Sequence, residues 1–432
     1  MFVSEALNIN DKNHLTIGGC DAVDLAKEYG TPLYVLDETA VRRHCRTYKE
    51  SIDKFYRGKG LVFFASKALC NLEVIRIVNS EGLGADVVSG GELYTALKAG
   101  MPAEKLCMHG NNKTYDELVF AIESGVGRIV VDNKTELDAI DAICREKGKK
   151  QKVLFRIKPG IDAHTHDFIM TGQIDSKFGF ALETGEAHEI IRHALTLDNI
   201  VVGGVHCHIG SQIHELEPFK KAAEVLAGLI ADIKNETGYE MSEMNLGGGY
   251  GVMYTEADDP IEFDKYIEAV SLVLRSACEE KGISLPFVMM EPGRSIVGTA
   301  GVTLYTVGGI KDIPGIRRYV SIDGGMGDNP RYILYQSVYK AILANKAGDE
   351  ATDPVTVAGK CCESGDLIGE GMLLPPVEIG DTLAVLTTGA YNYSMASNYN
   401  RIPRPAMIMT KDGESRVIVK RETYEDLVKN DI

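Results

Sequence analysis

From residue 61 to residue 293 the chain alternates between two hydrophobic periods. Short apolar runs, rich in β-branched residues, are LVFFAS (61–66), ADVVS (85–89), KLCMHG (105–110), RIVVDN (128–133), KVLFRI (152–157), IVVGGVHCHIG (200–210), EMNLGGG (243–249) and PFVMMEPG (286–293). The segments between them have helical periodicity. In KTELDAIDAICREKG (134–148), Leu137, Ile140 and Cys144 share one face and Gly148 ends the helix. PFKKAAEVLAGLIADIKNETG (218–238) follows the same rule. Strands apolar throughout are covered on both faces, and strands alternating with helices pair in parallel. Eight βα units over roughly 240 residues predict a (β/α)8 TIM-like barrel. A doubly wound open sheet is the competing arrangement.

After about residue 300 the texture changes. GVTLYTVGGI, RRYVSID, DPVTVAGKCC and DTLAVLTT are short β-rich runs broken by Gly, Pro and Asp, and Asp412-Gly413 between two strand-like runs signals a hairpin. This half predicts a mostly antiparallel β-domain, sandwich- or barrel-like. The strand-like LTIGG and PLYVLD near the N-terminus complete it. The expected division is a barrel over 36–299 and a β-domain over 1–35 and 300–432, within the range of two to three domains that 432 residues allow.

The net charge of −16 argues against nucleic acid and anionic membrane as partners, and requires any bound anion to sit in a local cradle. There is no run of about 18 apolar residues, so no membrane span is expected. MFVSEALNINDKNHL lacks a basic segment followed by an apolar one, so no signal peptide is expected. Nine cysteines, an odd number, several inside apolar runs (Cys107, Cys144, Cys278), suit a reducing cytoplasm rather than a disulfide framework.

Barrel chemistry sits at the C-terminal ends of the strands. The first strand ends in FFASKA, where Lys67 is either a solvated rim lysine or an amine available for a Schiff base. The sixth ends in HCHIGSQ. His206 and His208 are two apart and point to one side of a strand, while Cys207 faces the other way. No carboxylate stands nearby at ligand spacing, so zinc is disfavoured; stacking on a flat ring or ordinary core packing both fit. The seventh ends in NLGGGYG, whose Gly247, Gly248 and Gly249 let backbone N–H groups close on a phosphate, although barrels need tight turns in any case. It matches neither a Walker motif nor a dinucleotide fingerprint. The eighth ends in EPGR, where Glu291 follows FVMM and needs a partner if buried. Together, a lysine, a ring-stacking histidine, a phosphate cradle and a buried carboxylate are what pyridoxal phosphate requires.

These segments, with GADVVSGGEL (84–93), PGIDAHTH (159–166), GQIDSKFGF (172–180), EPGRSIVG (291–298), CCESGD (361–366) and TTGAY (387–391), resemble the diaminopimelate decarboxylases, among the alanine-racemase-like pyridoxal-phosphate enzymes, over nearly the whole chain. FASKA departs slightly from the YAxKAN of many relatives. The resemblance implies that Lys67 carries the cofactor and that His208 stacks on its ring. It implies that Ser211 and Gly247 to Gly249 contact the phosphate, that Gly293 lies at the cofactor, and that Glu291 pairs with the pyridine nitrogen. Arg294 is implied at both cofactor and substrate. Tyr391 is implied near phosphate and substrate, and Arg331 with Tyr335 as a substrate-binding pair. Cys362 is implied as proton donor, with Cys361 a packing residue, and Glu363 as a substrate contact. It further implies decarboxylation of meso-diaminopimelate to lysine by a homodimer with shared active sites.

The nearest rivals are decarboxylases of the same fold acting on ornithine, arginine or carboxynorspermidine, whose substrates lack the distal pairing of amine and carboxylate. A catalytically silent cofactor-binding protein is expected to have lost Lys67 or Cys362, and both are present.

Overall fold

The computed structural model describes residues 4–161 and 176–432. The segments Asp162–His166 and Gly172–Asp175 of two family-like motifs lie outside the described residues. The chain separates into two compact units: Cys45–Gly251 with Pro260–Gly293, and Met1–His44 with Val252–Asp259 and Arg294–Ile432.

The first unit is the barrel. Its strands are β1 (Gly60–Ala65), β2 (Gly84–Val87), β3 (Leu106–Met108), β4 (Arg128–Val131), β5 (Gln151–Lys158), β6 (Ile200–His206), β7 (Glu243–Asn245) and β8 (Phe287–Met290). Every neighbouring pair is parallel, and pairing of β8 with β1 closes the ring. The closed ring rules out the open-sheet alternative. Phe63, Cys107, Val130, Leu154 and Met289 meet in one buried cluster drawn from five of these strands, as a filled barrel interior requires.

Helix starts are written into the sequence just past the early strands. Asn71, Ser89, Thr114 and Asn133 each accept a hydrogen bond from the N–H three residues on, at Val74, Glu92, Glu117 and Glu136. Each such cap contributes about 1 kcal/mol. The helix Lys134–Lys147 ends at Gly148 as expected, and the long helix Glu217–Thr237 ends at Gly238.

The second unit is built on a long strand, Gly301–Ile313, which pairs antiparallel with Leu33–Asp37, Arg317–Ile322 and Thr382–Leu386. Ala406–Lys411 runs parallel to Leu33–Asp37 and turns through Asp412-Gly413, both at positive φ (51° and 84°), into Glu414–Val419. That is the expected hairpin. Leu15, Ile17, Leu33, Val35, Leu304, Leu386 and Ile408 form the core of this unit.

Glu38 links the edge of this sheet to the following helix. It is buried and accepts from Arg42 Nε at 2.7 Å, Arg416 Nη2 at 2.5 Å and Lys411 Nζ at 3.3 Å. Burial pushes its carboxyl up, but these three cations outweigh burial and hold it at about 2. A depressed folded value stabilises the fold above the unfolded value, near 4, and that contribution is lost as pH falls toward 2. Glu38→Gln is expected to cost roughly 1–2 kcal/mol at pH 7, given solvent screening of its half-exposed partners, and almost nothing near pH 2. Urea midpoints at the two pH values check this; an equal loss at both would refute the ionic origin.

Candidate active site

In the barrel unit the strand ends carry the expected residues. Lys67 lies on the short turn Ser66–Ala68 immediately after β1. Ser66 Oγ fixes this turn, lying 2.5 Å from the Asp86 carbonyl and 2.9 Å from Glu92 Oε2, with its one O–H shared between the two acceptors. Asp86, Glu92 and His208 all feel the Lys67 charge.

β6 stops at His206, so the two histidines of HCHIGSQ divide their work instead of facing one ligand side by side. His206 is buried and places Nε2 3.2 Å from Glu291 Oε2. His208 is half-buried, and its Nδ1 accepts weakly from the Gly248 N–H at 3.4 Å. Burial, with Lys67 and Arg156 nearby, pushes His208 well below the usual histidine range and keeps it neutral. A neutral imidazole suits stacking on an aromatic cation.

The glycine turn follows β7. A Cβ on Gly247 would collide with the Cys207 carbonyl, and one on Gly248 with the Glu291 carbonyl, so side chains are excluded there. The Gly247 N–H donates to Asn245 Oδ1 at 2.9 Å. This leaves Gly249 and the weakly held Gly248 as the N–H donors for an anion. The loop carrying Ser211 is stitched to the same turn by Ile213 N–H to Gly249 O (2.9 Å) and Gly251 N–H to Ile213 O (3.0 Å). Gly293 lets the turn after β8 pack against Ala65 and Ala68, on either side of Lys67.

Glu291 is buried at the end of β8, and its charge is met as the sequence requires. Oε1 accepts from Asn245 Nδ2 at 2.6 Å and lies 2.8 Å from His109 Nε2. Burial pushes this carboxyl up, but His109 and His206 together hold it well below the carboxylate range. Cys107, His109 and Glu291 bring metal-capable atoms within 4.8 Å of one another, with the imidazole already bonded to thiol and carboxylate.

The β unit holds a second cluster. Arg294 is buried and donates to the Tyr254 hydroxyl at 2.5 Å. Its guanidinium lies 4.8 Å from the centre of the Tyr391 ring. Arg331 lies 4.9 Å from both the Tyr391 and Tyr335 rings, so the arginine–tyrosine pair expected from NPRYILY is present. Tyr391 adopts φ 70°, a strained setting that directs its ring to both arginines. Arg331 is only 7% exposed, and its guanidinium makes no hydrogen bond or ion pair among the described residues.

Cys362 and Glu363 are exposed on the turn 361–366. Asp366 holds that turn by accepting from Cys361 N–H at 2.7 Å and Met326 N–H at 2.6 Å, and Cys362 N–H donates to Asn400 Oδ1 at 2.7 Å. Neither side chain bonds to Arg294, Arg331 or Tyr391 among the described residues. Sequence reasoning missed His109, Asp86, Asn245 and Tyr254. The first three stand at or near strand ends, where the same strand-end rule finds them; Tyr254 lies in a segment without a motif.

Residues 38–298 match the family model of the pyridoxal-binding domain of pyridoxal-dependent decarboxylases. The chain is 48% identical to a diaminopimelate decarboxylase of Bacillus subtilis (strain 168), covering 100% of this chain and 98% of the relative. It is 49% identical to that of Bacillus methanolicus, covering 98% of each.

The chain belongs to the diaminopimelate decarboxylases.

The solved diaminopimelate decarboxylase of M. jannaschii in complex with L-lysine superposes with a TM-score of 0.92 at 36% identity, over 100% of this chain and 99% of that one. A lysine/ornithine decarboxylase from Vibrio vulnificus superposes at 0.77 but at 23% identity, which shows only the shared fold. As a diaminopimelate decarboxylase the chain uses pyridoxal phosphate, and its residues fit that group. Among the described residues the buried Asp86 Oδ1 and His206 Nδ1 have no hydrogen-bond partner, and the same unit carries a glycine turn suited to a phosphate and a carboxylate suited to a ring nitrogen.

Proposed function

We propose that this chain removes one carboxylate of meso-diaminopimelate to give L-lysine and CO2. The observation that carries the reading is Arg331. Among the described residues this largely buried arginine has no carboxylate partner and its buried Nε no hydrogen bond, so a ligand anion is the counterion it lacks. Diaminopimelate has a second carboxylate at its distal end; ornithine and arginine do not.

Bound pyridoxal phosphate supplies the electron sink for the pair left at Cα when CO2 departs. The remaining work belongs to side chains. Lys67 would hold the cofactor through its aldehyde. The glycine turn and Ser211 would hold the phosphate, Glu291 would keep the ring nitrogen protonated, and neutral His208 would pack against the ring. Arg294 and Arg331 anchor carboxylates, Tyr335 and Tyr391 orient those arginines, and Glu363 receives the distal ammonium. The Cys362 thiol returns a proton to Cα, replacing the lost carboxylate. The protein acts as a homodimer in which Cys362 and Glu363 serve the partner's barrel; their exposure and lack of bonds to the arginines of their own chain support this. Nine cysteines, all free, favour the cytoplasm. Among the described residues no helix is long and apolar enough to cross a membrane.

Arg331→Ala tests the substrate assignment. One charge-assisted hydrogen bond contributes roughly 1.5–3 kcal/mol, so kcat/KM for diaminopimelate is expected to fall by about one to two powers of ten. Analogues without the distal carboxylate are expected to lose much less. Equal losses on both would return the diamine-forming decarboxylases as the better reading.

A further inference from the structure

His109 follows β3 directly and has no part in the chemistry above. It is 5% exposed. Its Nε2 lies 2.8 Å from Glu291 Oε1 and 3.4 Å from Cys107 Sγ, and its ring meets that of His206 edge-on at 4.8 Å. Two histidines therefore share one carboxylate, and their surroundings drive them apart. Burial pushes His206 down to about 4 despite Glu291. For His109, burial acts in the same direction, but Glu291 and Asp86 together push it well above the usual range. Asp86, on β2, is itself buried, and burial outweighs the His109 charge to raise it to about 7.

Glu291 and Asp86 are both buried, and the Glu291 charge opposes ionisation of Asp86. An imidazolium that feels both eases that conflict. Cys107, pushed up by burial, stays a thiol and adds no charge.

We propose that His109 is a positioning residue for the cofactor: as an imidazolium bonded to Glu291 Oε1 it holds Glu291 as an oriented carboxylate for the ring nitrogen. This rests on the reading that pyridoxal phosphate binds in the barrel unit. The test titrates apoprotein with pyridoxal phosphate and with its deaza analogue, in which the ring nitrogen is replaced by C–H. Phosphate and lysine contacts are common to both probes. Wild type is expected to prefer pyridoxal phosphate by about tenfold or more, the scale of one charge-assisted hydrogen bond. In His109→Gln that preference is expected to shrink to about threefold or less, while affinity for the analogue stays nearly unchanged. An undiminished preference in His109→Gln would overturn the proposal. Wild type that bound neither probe would overturn the cofactor reading, and this proposal with it. If His109→Gln fails to fold, ¹⁵N spectra of wild-type apoprotein decide. An imidazolium signature for His109 at pH 7.5 is expected, and a neutral imidazole there overturns the proposal.

Discussion

Lys67→Ala is expected to abolish turnover and the visible absorbance of the bound cofactor together. Lys67 is placed by its own strand: β1 ends at Ala65, and the Ser66 hydroxyl ties the next turn to Asp86 and Glu92. Asp86, Glu92 and His208 each feel the charge of its amine. Removing the amine removes the one covalent link to the aldehyde and leaves the phosphate cradle untouched, so weak binding without a linkage is the expected residue of function. Borohydride reduction of wild type followed by peptide mapping should find the label on Lys67. A label on another lysine would contradict the placement.

The second large effect concerns Cys362, the proposed proton donor. Cys362→Ala alone is expected to be nearly inactive yet to bind cofactor normally, because the glycine turn and Lys67 are unchanged. Mixing it with inactive Lys67→Ala should restore activity. At equal amounts random exchange makes half the dimers mixed, each with one intact site of two, so about a quarter of wild-type activity is expected. No recovery after demonstrated subunit exchange would show that Cys362 serves its own chain.

The barrel was legible because its strands are covered on both faces and so read as continuous apolar runs, and because Asn71, Ser89, Thr114 and Asn133 mark the helix starts. The Asp412-Gly413 hairpin was legible because its turn needs two residues at positive φ. Lys67, the glycine turn and Glu291 were legible because each follows a strand and carries a residue type that burial makes costly or a side chain would block. Less was legible where function depends on neighbours distant in sequence. Nothing in HCHIGSQ shows that the strand stops at His206, so the partition between His206 on Glu291 and His208 beside the glycine turn comes only from the fold. His109 is one polar residue after LCM, and its meaning depends on Glu291, far along the chain. Val252–Asp259 belongs with the β unit although no change of composition marks it, and it brings Tyr254 to Arg294.

The most direct measurement is CO2 release by the purified holoenzyme from meso-diaminopimelate, with ornithine and arginine assayed in parallel and the amino-acid product identified. Rapid release from diaminopimelate is expected, with L-lysine formed in equal amount, and little or none from the other two. The proposed role of Arg331 in holding the distal carboxylate is the reason for the difference. Comparable or faster release from ornithine or arginine would contradict it.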